Sequence, residues 1–247
     1  MLDNNLFDLR GEVAIVTGAC GGLGRSIVKG LAGVGAAVIA ADYGGHLQPV
    51  EGATKLYNFD VTNPDDISAF LQNILSDYAQ IDILVNAAGI AIGASAEEMS
   101  LGAWQKVLDV NTTGVFLCSQ IIGRKMIERR KGKIINMASR CGYIGYPGFI
   151  SYNVSKAGVI SITKTLAVEW AKYNVNVNAI APGFFRTSMT EYVWANEERL
   201  KSIVDRTPMG RIAEPEEIIG TIIFLSSKAS DFITGVTIPV DGGMLVF

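Results

Sequence analysis

The stretch Glu12-Val-Ala-Ile-Val-Thr-Gly-Ala-Cys-Gly-Gly-Leu-Gly24 joins an apolar run to a glycine-rich turn. Residues 12–17 are short and mostly apolar, which predicts a buried β-strand, and residues 23–34 have the apolar spacing of a helix. Glycine permits a tight turn and a close approach of the backbone, and a helix N-terminus offers free N–H groups to an anion. The turn is therefore predicted to bind a phosphate, although a tight turn without a ligand fits the same residues. The glycines assigned to this role are Gly18, Gly22 and Gly24.

Six more apolar runs of strand length follow along the chain. They predict strands at residues 36–41, 55–60, 81–86, 133–138, 175–180 and 236–240. Helical spacing between them predicts further helices at residues 64–79, 101–129 and 152–172. Strands that alternate with helices argue for a parallel sheet covered on both faces. The chain is therefore predicted to be an α/β protein with a doubly wound Rossmann fold and a seven-stranded parallel sheet.

No linker rich in Pro, Gly or Ser divides the chain, so residues 1–247 are predicted to form a single domain. Residues 43–54 are barely long enough for a crossover helix, and we predict a loop with at most one turn. Residues 184–215 form the longest insertion, and part of it has roughly helical spacing. Segments of this kind cover active sites in many enzymes. We predict a lid over the site here, with a plain surface insertion as the alternative.

The charge content limits the kinds of partner. Charged residues make up only 18% of the chain, against about 25% in typical domains. This shortage indicates either a large core or apolar surface that is covered in subunit contacts. The net charge is −3 and no basic block stands out, so a nucleic-acid partner is not expected. No apolar stretch approaches the ~18 residues that indicate a membrane-spanning helix.

Other residue counts bear on location and on metal binding. The first ten residues carry two Asp and lack the features of a signal peptide. The three cysteines, Cys20, Cys118 and Cys141, are odd in number and far apart, which suits a reducing cytoplasm. His46 is the only histidine, so neither a His-rich metal site nor a Ser-His-Asp triad is expected. His46 itself is predicted to lie in a loop.

Asp42 ends the second predicted strand, 18 residues after Gly24. In a doubly wound sheet this position faces the adenosine ribose of a dinucleotide. A carboxylate accepts hydrogen bonds from both ribose hydroxyls but repels a 2′-phosphate, and the next five residues contain no Arg or Lys. We therefore predict NAD as the cofactor rather than NADP. Asp60 and Val61 are predicted to lie at the adenine edge, although Asp60 equally fits a helix start.

The segment Ser151-Tyr-Asn-Val-Ser-Lys156 places Tyr152 and Lys156 on one face of a helix. A free phenol has a pKa of about 10, and an adjacent ammonium together with an oxidised nicotinamide favours the phenolate. Ser139, 13 residues before Tyr152, is predicted to bond the substrate oxygen. We expect Tyr152 to take the proton of an alcohol while Lys156 also holds the nicotinamide ribose. The alternative is an amphipathic helix with a half-buried tyrosine and a solvated lysine.

Together these residues make the whole chain resemble the short-chain dehydrogenase/reductase family. Besides the glycine turn with Leu23, the motifs that carry the resemblance are Asp60-Val61, Asn86-Ala-Ala-Gly89, Asn111, Ser139, Tyr152 with Lys156, Pro182-Gly183 with Thr187, and Val240-Asp-Gly-Gly243. The resemblance implies a Rossmann fold, a nicotinamide cofactor and hydride transfer at a secondary alcohol or ketone.

The resemblance also implies roles for single residues. The segment with Asn86, Ala87 and Gly89 would support the sheet beside the cofactor, with Ala87 departing from the family's usual Asn. Asn111 would hold a water that links the lysine to solvent. Pro182, Gly183 and Thr187 would close on the nicotinamide, with Thr187 bonding its carboxamide. Family members are commonly tetramers packed through two long helices, here 101–129 and 152–172, so a homotetramer is expected.

Residues 170–187, Thr207-Pro-Met-Gly-Arg211 and Glu214-Pro-Glu-Glu217 resemble the gluconate 5-dehydrogenase and 2-deoxygluconate 3-dehydrogenase branch. The 3-oxoacyl-carrier-protein reductases share much of this sequence, but they prefer NADP(H) and carry basic residues where this chain has Gly21 and Asp42. The short connection at 43–54 is similar to that of dihydrodiol-type dehydrogenases instead.

Substrate contacts are expected from residues 140–149 and 184–194. Cys141 is predicted to be a small pocket-wall residue rather than a reactive thiol, and Phe149 and Phe184 are further predicted contacts. Arg186 either pairs with a substrate carboxylate or is an exposed arginine on the lid. The predicted substrate is a small-molecule alcohol or ketone such as a polyol or a sugar acid.

Several alternatives remain open. Among enzymes they are dehydrogenases of a cyclic diol, a hydroxysteroid or a 3-oxoacyl thioester. A catalytically silent dinucleotide sensor would keep the fold, but it would not need Ser139, Tyr152 and Lys156 together. A methyltransferase also uses a glycine-rich turn after its first strand, yet it has no use for the Tyr-x-x-x-Lys pair.

Overall fold

A computed structural model of the protein describes residues 6–45 and 47–247. His46, which was expected in a loop, lies outside the described residues. So do residues 1–5, which belong to the N-terminal stretch that lacks signal-peptide features. The strands within them are β1 (Val13–Thr17), β2 (Ala37–Asp42), β3 (Ala53–Asn58), β4 (Ile83–Asn86), β5 (Gly132–Met137), β6 (Val175–Pro182) and β7 (Thr237–Val240).

All seven strands pair in parallel in one sheet, in the spatial order β3-β2-β1-β4-β5-β6-β7. The seven-stranded, doubly wound sheet predicted from the sequence is confirmed. The order reverses at β1, because the chain moves outward to β2 and β3 and then returns to place β4 on the other side of β1. The loops after β1 and β4 diverge at the carboxyl edge and open a crevice, which is where open α/β sheets bind ligands.

Helices of very different lengths connect the strands of the described residues. They are α1 (Gly22–Gly33), α2 (Pro64–Asp77), α3 (Leu101–Leu108), α4 (Gly114–Arg129), α5 (Ile150–Trp170), α6 (Glu191–Trp194), α7 (Glu197–Val204) and α8 (Ile219–Ser226). None of them is long and apolar enough to cross a membrane.

The sheet sends alternate side chains to two apolar layers. Val13 and Ile15 of β1 pack in one cluster with residues of α2, α4 and α5. Ala14 and Val16 pack in a second cluster with residues of α1 and α8. Because full burial of one large aliphatic side chain contributes about 1.5–3 kcal/mol, the two layers hold helices on both faces, as the apolar strand runs predicted.

Most observed boundaries lie within two residues of the predicted ones, with one difference in kind. The predicted helix at 101–129 is divided into α3 and α4 by five residues of π-helix, Asp109–Thr113. A π-helical turn adds one residue to a helical turn, which scarcely disturbs the apolar spacing on either side. β3 ends at Asn58 instead of residue 60, so Asp60 and Val61 belong to the loop that follows.

The predictions for the irregular segments 43–54 and 184–215 compare differently with the structure. Residues 43–45 and 47–52 contain no helix, in keeping with the predicted loop. Segment 184–215 holds α6 and α7, and its buried residues Val193, Ile203 and Ile212 pack with Met244 near the C-terminus. The assignment of one domain to residues 1–247 and of a lid to segment 184–215 stays a prediction.

Candidate active site

The crevice at the carboxyl edge of the sheet is a cavity of about 1110 Å³. Many of the predicted site residues line it, namely Gly18, Gly22, Leu23, Gly24, Asp42, Asp60, Val61, Ala87, Gly89, Ser139, Tyr152, Lys156, Pro182, Gly183 and Thr187. The other predicted residues lie outside this lining, and they are Asn86, Asn111, Cys141, Phe149, Phe184 and Arg186.

The turn between β1 and α1 is closely packed and requires glycine. Gly18 has a left-handed φ of +65°, and a Cβ added there would lie 2.7 Å from the Ala88 backbone. A Cβ on Gly22 would lie 2.7 Å from the Thr187 side chain, and one on Gly24 would collide with the Gly18 carbonyl. The first turn of α1 has no acidic residue and no side-chain cap. Its free N–H groups and the glycine cradle therefore fit a pyrophosphate.

Asp42 is the last residue of β2 and stands beside this turn. One carboxylate oxygen accepts a 2.7 Å hydrogen bond from the Cys20 N–H, and the other accepts a 2.8 Å bond from the Tyr43 N–H. These bonds fix the carboxylate at the cavity wall and leave further lone pairs for a ligand. The guanidinium of Arg25 donates to the carbonyls of Cys20 and Pro49, so it is already engaged with the backbone.

Asp60 is placed by its own loop. One of its carboxylate oxygens accepts hydrogen bonds of 2.8 Å from both the N–H and the hydroxyl of Thr62. Val61 is buried, and it packs where a Cβ on Gly114 would come within 2.8 Å of its side chain. The pair therefore braces the loop after β3 against α4 and lines the cavity at the same time.

The segment after β4 is held by a buried polar network. The Asn86 amide donates to Asn136 at 2.8 Å and to Ser119 at 3.0 Å, which joins β4 to β5 and α4. Thr17, at the end of β1, accepts hydrogen bonds from the N–H groups of Ala87 and Ala88. The sequence analysis did not assign this supporting role to Thr17. Its position, at the end of a strand just before the glycine turn, could have indicated it. Asn86 thus supports the sheet behind the cavity rather than lining it.

Asn111 lies in the π-helical segment and is fully buried. Its side-chain oxygen accepts a 2.8 Å bond from the Ile90 N–H, and its amide donates to the Ile90 carbonyl and to Ser155. A Cβ on Gly89 would lie 3.3 Å from the Asn111 oxygen and 3.5 Å from the Lys156 ammonium. Asn111 therefore lies directly behind Gly89 and Lys156, which line the cavity. This placement of Asn111 depends on the π-helical turn, which the sequence did not reveal.

Tyr152 and Lys156 lie one turn apart on α5 and both line the cavity. The Lys156 ammonium donates a 2.6 Å hydrogen bond to the Met137 carbonyl and lies 5.6 Å from the centre of the Tyr152 ring. Ser155 donates a 2.7 Å bond to the Tyr152 carbonyl and accepts one from Asn111. It is a supporting residue that sequence reasoning missed, although it stands between the Tyr and the Lys of the motif.

The pKa of Tyr152 departs from the sequence-based expectation. Burial is the largest influence and raises this pKa to about 12, while the Ser139 hydroxyl and the Arg140 charge have smaller effects that lower it. Burial also lowers the pKa of Lys156 to about 8. Both shifts favour the neutral forms, because a charge is less stable away from water. The predicted lowering of the phenol pKa by Lys156 is therefore not produced by the protein's own groups.

Ser139 is buried at the end of β5, where it caps a single helical turn, Arg140–Gly142. Its hydroxyl oxygen accepts a 3.1 Å hydrogen bond from the Cys141 N–H. The hydroxyl hydrogen stays available to the cavity, which Ser139 lines. Cys141 is buried next to it, and burial raises the pKa of its thiol. A raised pKa makes a thiol unreactive, which fits the expectation that Cys141 is not a reactive thiol, although it stands behind Ser139 and outside the cavity lining.

Pro182 is the last residue of β6, and the loop after it carries the predicted Gly183 and Thr187. Gly183 has no room for a side chain, since a Cβ there would lie 2.7 Å from the Asp241 backbone. Thr187 caps a short turn, its N–H donates to the Thr190 hydroxyl at 3.1 Å, and its carbonyl accepts a 3.1 Å bond from the Trp194 indole. The start of segment 184–215 is thereby fixed against the glycine turn, beside Gly22.

Phe149 and Phe184 belong to an aromatic cluster beside the cavity. The Tyr146 ring lies 5.5 Å from Phe149 and 5.9 Å from Phe184, and Phe149 lies 6.0 Å from Tyr192 of α6. The cluster joins the loop after β5 to segment 184–215. Arg186 is exposed and forms a 3.3 Å ion pair with Glu214, so its charge is already paired.

Arg140 is the site candidate that sequence reasoning did not single out. It is only 5% exposed, and its guanidinium carbon lies 4.8 Å from the centre of the Tyr146 ring and 4.6 Å from that of Phe184. Two cation–π contacts contribute about 0.5–2 kcal/mol each, which is less than the several kcal/mol that burial of a charge costs. The available signal was an arginine directly after the predicted active-site serine.

Three comparisons with known proteins bear on this site. A family model described as enoyl-(acyl carrier protein) reductase matches residues 18–245. The chain is 40% identical over 246 residues to the 2-dehydro-3-deoxy-D-gluconate 5-dehydrogenase of Escherichia coli (strain K12), covering 97% of each protein. It is 39% identical over 246 residues to the 3-oxoacyl-(acyl-carrier-protein) reductase of Thermotoga maritima, covering 96% of this chain and 99% of that one.

Among solved structures, the chain is similar to a gluconate 5-dehydrogenase from Burkholderia cenocepacia J2315 in complex with NADP and tartrate. The TM-score is 0.92 at 33% sequence identity, and the similarity covers 98% of both chains. The likeness therefore extends over the whole sheet and over the segments that surround the cavity.

Proposed function

Because the chain belongs to the short-chain dehydrogenase/reductase family, as its motifs indicated, we propose that hydride moves between NAD(H) and a secondary alcohol or ketone in the cavity described above. The chain is an oxidoreductase that acts on CH–OH groups and uses a nicotinamide dinucleotide. The observation that carries the proposal is that one cavity joins the glycine turn and Asp42 to Ser139, Tyr152 and Lys156.

The cofactor is assigned by residue. The glycine turn holds the pyrophosphate, the Asp42 carboxylate accepts from the adenosine ribose hydroxyls, and Lys156 holds the nicotinamide ribose. The similar structure from Burkholderia contains NADP, so the choice of NAD for this chain rests on Asp42. Further predicted contacts are Leu23, Asp60, Val61, Ala87, Gly89, Pro182, Gly183 and Thr187, all of which line the cavity.

Side chains of the protein transfer the proton of the substrate hydroxyl and stabilise its oxygen. When bound, the dinucleotide accepts or supplies the hydride. The Tyr152 phenol oxygen takes the proton of the substrate hydroxyl during oxidation and returns it during reduction. The Ser139 hydroxyl donates a hydrogen bond to the same substrate oxygen, which stabilises the charge that develops there. Asn111 supports this relay by fixing the backbone beside Gly89 and Lys156. Positioned acid–base help of this kind contributes ~10²–10⁴ in rate.

The proposed substrate is a sugar acid, a polyol or a similar small hydroxy compound. Support comes from the similar proteins of Escherichia and Burkholderia, which are named as sugar-acid dehydrogenases. A 3-oxoacyl thioester is the second candidate, because the chain is 39% identical to a 3-oxoacyl-(acyl-carrier-protein) reductase. Acetoacetyl-coenzyme A with NADPH discriminates between them, since only the second candidate predicts its reduction.

We also propose a homotetrameric assembly and a cytoplasmic location. A homotetramer packed through residues 101–129 and 152–172 is supported by exposed apolar side chains there, including Phe116 at 38%, Val154 at 44% and Val168 at 81% exposure. Light scattering of the purified protein tests the assembly. A cytoplasmic location is supported by the cysteines, which are free in the described residues.

The reaction is tested by absorbance at the NADH band. Polyols, aldonates, hydroxysteroids and cyclic diols are offered with NAD and, separately, with NADP. Turnover of a sugar acid or polyol with NAD supports the proposal. Absence of turnover with every alcohol and both cofactors, in a protein that binds NADH, would favour the silent sensor instead.

A further inference from the structure

We propose that Arg140 binds a compact oxyanion on the substrate, a carboxylate or a phosphate, so that the enzyme prefers hydroxylated acids to neutral polyols. The proposal rests on the proposed function, because it concerns the substrate end of the same site. The observation behind it is a buried guanidinium directly after Ser139, set against two aromatic rings.

The guanidinium of Arg140 has no counter-charge among the described residues. Arg140 is 5% exposed, yet within residues 6–45 and 47–247 it forms no ion pair, and no side-chain hydrogen bond from its guanidinium is found. Buried charges in folded proteins are usually paired, and buried donors usually have acceptors. The guanidinium nitrogens are not among the fully enclosed unpartnered atoms, so the N–H donors of this group keep an opening through which a ligand can bind. Arg186 differs, since it is exposed and paired with Glu214.

Two aromatic rings orient the Arg140 guanidinium. Tyr146 and Phe184 lie 5.9 Å apart with their planes inclined at 69°, and the guanidinium carbon lies within 4.8 Å of both ring centres. The rings form a corner that restricts the guanidinium on two sides. A planar guanidinium held in this way presents its N–H groups in a fixed fork, which matches the two oxygens of a carboxylate or phosphate.

Arg140 stands next to the residues that line the reactive end of the cavity. Arg140 follows Ser139 in the sequence, and Phe184 of its aromatic corner stands between Gly183 and Phe185, which like Ser139 line the cavity. An anion on Arg140 therefore lies near the groups assigned to the substrate oxygen. Because Phe184 comes from segment 184–215 and Tyr146 from the loop after β5, the aromatic corner joins these two segments beside the proposed anion.

The experiment uses matched substrates that differ only in charge. The full-length enzyme with NAD is given an aldonate and its primary amide, and a sugar-alcohol phosphate and its parent sugar alcohol. The readout is the ratio of kcat/KM for the charged over the neutral member of each pair. Arg140→Met should lower this ratio at least ~10²-fold, and Arg140→Lys, which keeps the charge without the fork, should lower it less. The pair that responds identifies carboxylate or phosphate.

Two outcomes would overturn the proposal. One is a fall in kcat/KM by the same factor for the acid and for its amide in Arg140→Met, since that indicates a packing role. The other is a collapse of the ratio in Arg186→Met with the ratio in Arg140→Met unchanged, which would assign the anion to Arg186. The melting temperature of each variant shows whether it has folded, and Arg140→Lys provides a second variant if Arg140→Met does not.

Failure of the proposed function looks different, because the wild-type enzyme would then turn over neither member of any pair. The anion site is decided in that case by calorimetric titration of the NAD-loaded protein with malonate. The same titration is made with inorganic phosphate, and binding of either anion that is at least ~10-fold weaker in Arg140→Met than in the wild type supports the site. Equal binding by both proteins overturns it.

Discussion

The Lys156 ammonium donates a 2.6 Å hydrogen bond to the carbonyl of Met137, the last residue of β5. This bond ties the helix that carries Tyr152 to the strand that leads into Ser139. Side chains from two separate elements are thereby held at one edge of the sheet. The lysine also lies 5.6 Å from the centre of the Tyr152 ring, so it is positioned beside the phenol by the strand and not by the phenol itself.

Replacing Tyr152 by Phe removes the proposed proton acceptor and leaves the ring in place. Turnover should fall at least ~10²-fold, which corresponds to about 2.7 kcal/mol in the barrier, while NADH still binds. Steady-state kinetics and NADH fluorescence titration measure the two effects. Tyr173→Phe, three residues beyond the C-terminal end of α5, is the matched control and should keep its turnover. Near-normal turnover in Tyr152→Phe would remove this residue from the mechanism.

The pH profile of oxidation reports on Ser139. Since burial raises the pKa of Tyr152 to about 12, only a small fraction is phenolate near neutral pH, and kcat/KM for oxidation should increase as the pH rises. The Ser139 hydroxyl lowers that pKa, so Ser139→Ala should shift the profile to higher pH as well as reduce the rate. Ser68→Ala, on the exposed side of α2, serves as the control. An unshifted profile in Ser139→Ala would contradict the lowering of the Tyr152 pKa by the Ser139 hydroxyl.

Asp42→Asn tests the choice of cofactor. The asparagine keeps the shape and one acceptor oxygen but loses the negative charge, so repulsion of a 2′-phosphate is relieved. The ratio of the Kd for NADP to that for NAD should therefore fall by roughly 10-fold, in the range of a lost charge-assisted interaction. Fluorescence titration with both reduced cofactors gives the ratio. If Asp42→Asn and the surface control Asp205→Asn leave the same ratio, Asp42 does not select the cofactor.

Gly18→Ala tests the glycine turn. Its φ is +65° and the new methyl group would lie 2.7 Å from the Ala88 backbone, so strain of about 1–3 kcal/mol is expected together with loss of NADH binding. Gly33→Ala, at the end of α1, has open space around the new methyl group and should bind NADH normally. Urea unfolding and NADH titration of both variants make the comparison. Normal binding by Gly18→Ala would show that the turn has room that the structure does not provide.

Asp82 is expected to stabilise the fold in a pH-dependent way. It is 2% exposed, and although burial acts to raise its pKa, hydrogen bonds from the Val13 N–H and from Arg129 lower it overall. A carboxyl with a lowered folded-state pKa stabilises the protein above its unfolded pKa of about 3.9. That contribution is lost as the pH falls through the folded-state value.

Asp82→Asn should therefore reduce the free energy of unfolding by about 1–3 kcal/mol at pH 7, because it removes a buried charged acceptor whose partners Arg129 and Lys131 are 28% and 50% exposed and regain water. The difference from the wild type should shrink as the pH falls below about 4. Urea unfolding at several pH values measures this. Asp77→Asn, which breaks the half-exposed pair with Lys55, should change stability by no more than about 1 kcal/mol. A pH-independent difference for Asp82→Asn would refute the assignment.

The sequence was sufficient for features that depend on near neighbours. The apolar run at 12–17 followed by Gly18 predicted the strand, the turn and the start of α1, because strand and helix periods are local. The spacing of Tyr152 and Lys156 likewise placed both on one face of α5. Ser139 was expected at the end of β5, and it lies there. Asn111 was identified only through its family motif, because no local pattern predicts a π-helical turn.

The sequence by itself determined the order of strands and helices, the glycine turn after β1 and the placing of Tyr152 and Lys156 on one helix face, since each depends on a few consecutive residues. Only the tertiary structure decided that Arg140 is buried in the corner of Tyr146 and Phe184, and that burial raises the pKa of Tyr152. The physical reason is that desolvation and the pairing of charges depend on which distant segments pack around a group. The spacing of residues along the chain does not predict that packing.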